Sequence, residues 1–401
     1  MEHRELCGIC ESKNLVPILD LGQMPLANAF LKKEEIPLEK KYPLSVHFCR
    51  RCYSVQLLDI VDPKIVFKKY EYLTSASKPL SDHFVKMGND LVDQFIFSPN
   101  DLVVEIGGND GVLLEAIKDR CKVLNIDPAI NAAHEALKRG VHTVPEFFDI
   151  DVAMGLLVNH KLRPRLVIAN NVMAHIEDIQ NTMAAVGLLI QDLDGVFVFE
   201  VHWVGNLIGE GGFDQIYHEH IYYHSLKTLQ WLTRMVGMEI FDVELVPIHG
   251  QSIRVFVAHN RKPEPSVDAF LKMEEERGLH QEYVYLSFFD KIFTNKQRLK
   301  GLLSELKGRT VGYGAPAKGN TLLNYFEIDL DYIVDTTQGK QGLYTPGRHI
   351  PVYSPDRLKE EPPDNIVILA WNYADAILEK EKALRDRGVK FIIPVPEVRV
   401  V

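Results

Sequence analysis

The sequence predicts an α/β protein in three parts, a small cysteine-bearing domain followed by two Rossmann-like domains. Two Cys-x-x-Cys pairs open the chain. Further on, two strand–glycine turn–helix signatures, "LVVEIGGNDGVLL" from residue 102 and "TVGYGAPAKGNTLL" from residue 310, each start an alternating run of strand-like and helix-like sequence. The length, 401 residues, exceeds the roughly 250–300 at which one core stops growing, so several domains are expected.

Composition narrows the function classes. Hydrophobic residues make up 46% and charged residues 25%, an ordinary globular balance, and no apolar run approaches the roughly 18–20 residues that span a bilayer. The opening "MEHRELCGIC" has no apolar signal core, so a cytoplasmic location is expected. A formal net charge of −10 argues against broad binding to nucleic-acid phosphates and makes a small ligand the expected partner.

The first domain rests on Cys7, Cys10, Cys49 and Cys52, two knuckles separated by residues 11–48. Two pairs of thiolates complete a tetrahedral zinc site with no open position, which assigns the metal to folding rather than chemistry. The alternative is a set of redox-active or merely buried cysteines. Cys121 precedes a strand and reads as packed. Residues 53–100 then read as a tyrosine-rich loop entering a helix with Phe84, Met87, Leu91 and Phe95 on one face, capped by Ser81 or Asp82.

The first glycine turn follows a buried strand. Gly107, Gly108 and Gly111, with Asn109 among them, let the backbone approach a ligand closely. Such a turn also serves nicotinamide cofactors. Glu105 separates the two, because a carboxylate directly before the glycines repels a pyrophosphate but holds the cationic methionine end of S-adenosylmethionine. Asp127, closing the next strand, suits a ribose. The run "PRLVIANNVMAHIED" ends a third strand at Asn170 and Asn171 with His175 just beyond, and "DGVFVFEVHW" puts Glu200 and His202 at the end of another, where open α/β sheets bind ligands.

The stretch "DQIYHEHIYYHS", residues 214–225, follows through a glycine turn, so Tyr217, Glu219 and His220 are expected to face the same mouth. A histidine beside a carboxylate can act as general base, and tyrosine hydroxyls can stabilise an oxyanion. That set suits proton removal next to a carbonyl and attack of the enolate on an electrophilic methyl group. The alternative is a set of caps and surface hydrogen bonds, and spacing leaves open which of His218, His220 and His224 points inward.

Two strand-like runs follow, then a helical pattern over 261–307 that breaks near Gly278. In the second glycine turn no acid precedes the glycines and Lys318 lies within it, which favours an anion such as a diphosphate at a helix start. Gly314, Lys318, Asn320 and Arg348 are the candidate substrate-binding residues. The alternative is a ligand-free scaffold domain.

Over essentially its whole length the chain resembles the S-adenosylmethionine-dependent sugar C-methyltransferases of deoxysugar biosynthesis, the group that includes the tetronitrose C3-methyltransferase. "CGIC" and "CRRC" resemble that family's zinc-binding domain, "VVEIGGNDGVLL" its methyl-donor motif, "YHEH" its catalytic motif and "GYGAPAKGNTLLNY" its C-terminal domain. The resemblance implies an N-terminal zinc-binding domain (1–70), a central class I Rossmann-like methyltransferase domain (71–245) and a C-terminal Rossmann-like domain that binds a nucleotide sugar (246–401). It implies that His220 removes the proton beside a C4 ketone, flanked by Tyr217 and Glu219, that His175 stabilises the enolate oxygen, and that a tyrosine of "YEYLTSAS", Tyr72 rather than Tyr70, reaches the sugar. The implied substrate is a thymidine-diphosphate-linked 4-keto sugar methylated at C3. Other members methylate other ring positions, and cytidine- and guanosine-linked sugars stay open. The expected assembly is a monomer or weak homo-oligomer. The rival classes are a nicotinamide oxidoreductase and a zinc-bearing binding module.

Overall fold

A computed structural model describes residues 1–67, 73–192, 194–247 and 252–401. The chain divides into two compact units assembled from separate stretches. One comprises Met1–Val16, Phe48–Val204 and Ile221–His280, and the other Pro17–His47, Gly205–His220 and Gln281–Val401.

The first unit is organised by seven strands: β1 (Leu102–Ile106), β2 (Lys122–Ile126), β3 (Thr143–Val144), β4 (Pro164–Asn170), β5 (Val196–His202), β6 (Glu239–Val246) and β7 (Ser252–Ala258). Their order is β3–β2–β1–β4–β5–β7–β6. The pairings among β1 to β5 are parallel, and β7 is antiparallel to both β5 and β6. Every residue of β1 is buried, as the apolar run "LVVEI" requires of a strand covered on both faces. Between β1 and β4 the strand order reverses, and that reversal opens a crevice beyond their carboxyl ends.

Helix α1 (Lys78–Phe95) buries Phe84, Met87, Leu91 and Phe95 together with Leu80 and Val92, the face that the periodicity predicts. Its start differs from the expectation. Pro79 presets the first turn, so the helix begins earlier, the cap position is Ser77, and no side chain caps it. Ser81 instead donates to the Thr74 carbonyl at 3.2 Å, and Asp82 pairs with Lys78 at 2.8 Å. The same unit holds α2 (Val112–Ile117), α3 (Leu226–Met235) and α4 (Pro265–Glu276).

The second unit carries α5 (Glu282–Glu305) and six strands: β8 (Thr310–Tyr313), β9 (Ile333–Val334), β10 (Val352–Tyr353), β11 (Asn365–Ile368), β12 (Lys390–Ile393) and β13 (Arg399–Val400). The order is β10–β9–β8–β11–β12–β13, parallel except for β13. Helix α6 (Ala317–Phe326) follows β8 through the second glycine turn, at this sheet's own reversal of strand order. The predicted break near Gly278 falls between α4 and α5, with Gly278 at φ +68°. Among the described residues no helix is long and apolar enough to cross a membrane.

Leu91 is 1% exposed in the cluster that packs α1 on α2 and the sheet. Leu91→Ala is expected to lower stability by about 2–5 kcal/mol, read from the urea midpoint by circular dichroism.

Candidate functional site

The four cysteines of the first unit come together. All are buried, their Sγ atoms lie within 4.8 Å of one another, and Cys7–Cys52 and Cys10–Cys49 are separated by 3.5 and 3.6 Å. Both knuckles use one backbone pattern. Glu11 N–H donates to the Cys7 carbonyl and Cys7 N–H to the Ser12 carbonyl, while Tyr53 N–H donates to the Cys49 carbonyl and Cys49 N–H to the Ser54 carbonyl. Glu11 and Tyr53, the equivalent residues, both adopt positive φ, +57° and +65°. Gln56, buried, donates to Cys7 Sγ at 3.0 Å, and the Ile9 N–H points at the same sulfur. Four sulfurs at this spacing repel one another as thiolates unless a cation lies among them, and an all-sulfur tetrahedral donor set fits zinc.

Around the first glycine turn, a Cβ on Gly107 (φ +66°) would meet Val172 at 2.4 Å, and one on Gly108 would meet Glu105 Oε2 at 2.6 Å. Gly111 caps α2, and Asn109 (φ +50°) donates its N–H to Asp127 at 2.9 Å. Asp127 also accepts from the Ala129 N–H at 2.8 Å. Around this crevice Glu105 Oε2, Asp110 Oδ1, Asn170 Oδ1 and Nδ2, and Asn171 Oδ1 are buried without a partner among the described residues. The Asn170 amide lies close enough to Glu105 to favour its charge yet outside hydrogen-bond geometry. Burial above all, with the neighbouring Asp127 charge, pushes the Glu105 carboxyl up to about 8. A pocket with an unmatched carboxylate and unmatched amides fits a cationic, multiply hydrogen-bonding ligand such as the amino-acid end of S-adenosylmethionine.

Glu200 and His202 close β5, as expected, but Glu200 is fully buried. It is paired with Arg254 at 2.7 Å and His83 at 2.9 Å, partners that no local pattern announces. His175, half-buried, lies on the turn after β4 with its N–H on the Val172 carbonyl at 2.8 Å. Beside it, the Ala174 carbonyl accepts from Ile221 N–H at 2.7 Å. Tyr72 and Tyr70 lie outside the described residues.

The second unit holds Tyr217, His218, Glu219 and His220. His220 Nδ1–H donates to the Gln215 carbonyl at 2.7 Å, and the Tyr217 ring packs on the imidazole with centroids 4.1 Å apart. A carbonyl only accepts, so Nδ1 carries the proton and Nε2 is the basic nitrogen. Glu219 is 5% exposed and takes both contacts of the Asn28 amide, at 2.8 and 2.9 Å. Burial pushes its carboxyl up to about 7, against the pull of Asn28 and of the Lys340 charge. Nearby in sequence, buried Asp214 accepts from the Trp371 indole N–H at 2.6 Å.

Gly314 turns at φ +83°, and α6 begins after Pro316. Lys318 Nζ lies 4.0 Å over the Trp371 ring. Burial lowers its pKa while Asp214 opposes the shift, so its charge is met partly by the protein itself. Asn320, buried, donates to the Ala27 carbonyl at 2.8 Å, and its Oδ1 has no partner among the described residues. Arg348 pairs with Asp329. Asn28, Lys340, Trp371 and Gln56 escaped the sequence reading because each meets its partner only through the fold.

Three family models match the chain: a zinc binding domain over residues 7–67, a methyltransferase domain over 84–243 and the C-methyltransferase C-terminal domain over 247–396. The C-methyltransferase NovU of Streptomyces niveus is 35% identical over 406 residues, covering 98% of this chain and 96% of that protein. Solved structures that align include the magnesium protoporphyrin IX methyltransferase of Synechocystis PCC 6803, 13% identical over 45% of this chain and 79% of that one, TM-score 0.34. The YcgJ protein of Bacillus subtilis is 12% identical over 46% of this chain and 99% of that one, TM-score 0.35.

Purified protein is expected to hold about one zinc per chain by elemental analysis. Cys49→Ser is expected to lose the metal and lower the thermal midpoint.

Proposed function

The chain belongs to the S-adenosylmethionine-dependent C-methyltransferase family, and on that premise we propose that it methylates C3 of a thymidine-diphosphate-linked 4-keto deoxysugar through an enolate. The observation that carries the reading is the His220 imidazole, whose Nδ1–H is tied to the Gln215 carbonyl at 2.7 Å so that Nε2 is the proton acceptor. Forming a carbon–carbon bond to a methyl group requires a carbon nucleophile. A sugar carbon becomes one at neutral pH only where an adjacent ketone takes up the electron pair.

In this reading Nε2 of His220 takes the C3 proton, the C–H electron pair becomes the enolate, and the C4 oxygen carries its charge. His175 and Tyr217 stabilise that oxygen, Glu219 steadies the histidine, and Tyr72 reaches the sugar. S-adenosylmethionine, when bound, supplies an electrophilic methyl group. Glu105 would hold its cationic end, Gly107, Gly108, Asn109 and Gly111 its backbone-facing side, and Asp127, Asn170 and Asn171 its hydroxyl and amino groups. Gly314, Lys318, Asn320 and Arg348 would hold the nucleotide diphosphate. A structural zinc in the cysteine cluster takes no part in the chemistry, because four protein sulfurs leave it no open position.

His220→Asn is expected to lower turnover at least ~100-fold while S-adenosylmethionine binding stays as in the wild type. In heavy water without donor, the wild type is expected to wash deuterium into C3 and His220→Asn to leave it unlabelled. Equal exchange in both proteins rules out this base.

Donor binding should also depend on pH. Glu105, at about 8 in the chain alone, is largely protonated at neutral pH. A cationic ligand favours its carboxylate form, so binding releases a proton, and affinity is expected to rise as pH goes from about 6 to about 8. Calorimetry in buffers of different ionisation enthalpy reads that proton, and Glu105→Gln is expected to abolish its release.

A further inference from the structure

Asn28 belongs to "LANAF", in the stretch between the two cysteine pairs, far in sequence from the "YHEH" segment. Its side-chain nitrogen nevertheless lies 2.8 and 2.9 Å from the two oxygens of Glu219. Only the amide nitrogen can donate to a carboxylate, so this contact fixes the amide's orientation.

The backbone around Asn28 is held on both sides. Buried Asn320 of α6 donates to the Ala27 carbonyl at 2.8 Å. Leu31 and Tyr344 exchange two backbone hydrogen bonds, Leu31 N–H to the Tyr344 carbonyl at 3.0 Å and the reverse at 2.8 Å. Lys340 lies 5.0 Å over the Phe30 ring and donates to the Ala315 carbonyl at 2.8 Å. A five-residue turn pinned at these points presents one amide to one buried carboxylate. Asn28 itself is exposed, so it stands at the rim with its nitrogen turned inward.

We propose that Asn28 is a positioning residue for the methyl-transfer reaction, gripping the Glu219 carboxylate so that it stays charged and oriented beside His220. The inference rests on the reading that the Glu219–His220 segment acts on the substrate. An isolated buried carboxyl tends to take up a proton, and a neutral Glu219 would no longer stabilise an imidazolium at His220. Among the charged and titratable groups, Lys340 from the segment after β9 acts on Glu219, and Tyr217, His218 and His220 share its own segment. Lys340 favours the carboxylate through its charge, as Asn28 does through its amide. The Asn28 amide nitrogen contacts both carboxylate oxygens, a contact that sets their orientation.

The test is the pH–rate profile of full-length Asn28→Ala and Asn28→Asp, with S-adenosylmethionine and thymidine-diphospho-4-keto-6-deoxyglucose as probe. Asn28→Ala is expected to lower kcat about tenfold or more at neutral pH with KM and donor affinity little changed. The acidic limb of its profile moves to higher pH, so that rate returns as Glu219 ionises. Asn28→Asp, adding a like charge, moves the limb further in the same direction. In a Glu219→Gln background, Asn28→Ala is expected to add nothing.

A wild-type rate and profile in Asn28→Ala overturns the inference. A rate loss uniform across pH, persisting in the Glu219→Gln background, overturns it in favour of a loop-shaping role. Wild-type turnover in both Glu219→Gln and His220→Asn overturns the underlying reading of the segment, and the inference with it. Loss in those two variants beside a wild-type Asn28→Ala leaves that reading intact and removes the inference alone.

Discussion

A carboxylate taken out of water has to be given partners by the fold, and the way each buried acid is treated divides scaffold from site. In the first unit, Glu200 is fully buried but closed in by the Arg254 fork and His83. Glu274 of α4 is equally complete. It accepts from the Trp203 indole at 2.8 Å and from the Leu226 and Lys227 N–H groups at 2.6 and 3.0 Å, satisfying the orphan amides that begin α3. Both acids hold elements together and ask nothing of a ligand. Glu105 and its neighbour Asp110 differ, since both are buried and one oxygen of each, Glu105 Oε2 and Asp110 Oδ1, finds no donor among the described residues. Leaving a buried oxygen unmatched costs about 1–3 kcal/mol. In the proposed reading the cationic end of the methyl donor would complete Glu105.

The threading of the chain explains how each unit acquires its chemistry. Residues 205–220 leave the first unit after β5 and return at Ile221. Their departure and return are clamped there by the Val204 N–H on the His224 carbonyl at 2.9 Å and by Ile221 N–H on the Ala174 carbonyl. Residues 17–47 make a similar excursion, closed in the first unit by the paired knuckles and by Arg50 N–H on the Asn14 carbonyl at 3.0 Å. The second unit thus receives both Asn28 and the "YHEH" segment as loops whose ends are anchored elsewhere. A metal in the cysteine cluster would serve such an arrangement by fixing one pair of ends at little cost in buried apolar surface.

What the sequence made legible was whatever is local. The two glycine turns, the alternation around them, the helical face of α1 and the spacing of Cys7, Cys10, Cys49 and Cys52 are patterns within a few residues, and the structure reproduces them. The start of α1 departs from the expected Ser81 or Asp82 cap because Pro79 starts the helix ahead of both. The partners of buried charges were not legible at all. His83 meets Glu200 across 117 positions, Trp371 meets Asp214 across 157 and Asn28 meets Glu219 across 191. No periodicity joins residues so far apart. Lys318 is a case in point: the glycine turn around it is local and legible, whereas Asp214 and the Trp371 ring, which share its surroundings in the fold, are not.

The same distinction separates the surroundings of the three histidines that spacing alone could not rank. His224 is fully buried in the first unit, donates Nε2–H to the Met173 carbonyl at 3.1 Å and is pushed down to about 4 by burial, so it stays neutral as a packing residue. His218 lies in the second unit against the edge of Tyr42 and donates Nε2–H to the Pro43 carbonyl at 3.3 Å, which spends on the backbone the nitrogen farthest from its own main chain. His220 does the reverse. The turn closed by its N–H on the Tyr217 carbonyl brings its Nδ1 to Gln215, so the near nitrogen anchors the ring and the far one carries the lone pair. In the proposed reaction a ring stacked and tethered through Nδ1 has its orientation set before substrate arrives, as a proton acceptor needs.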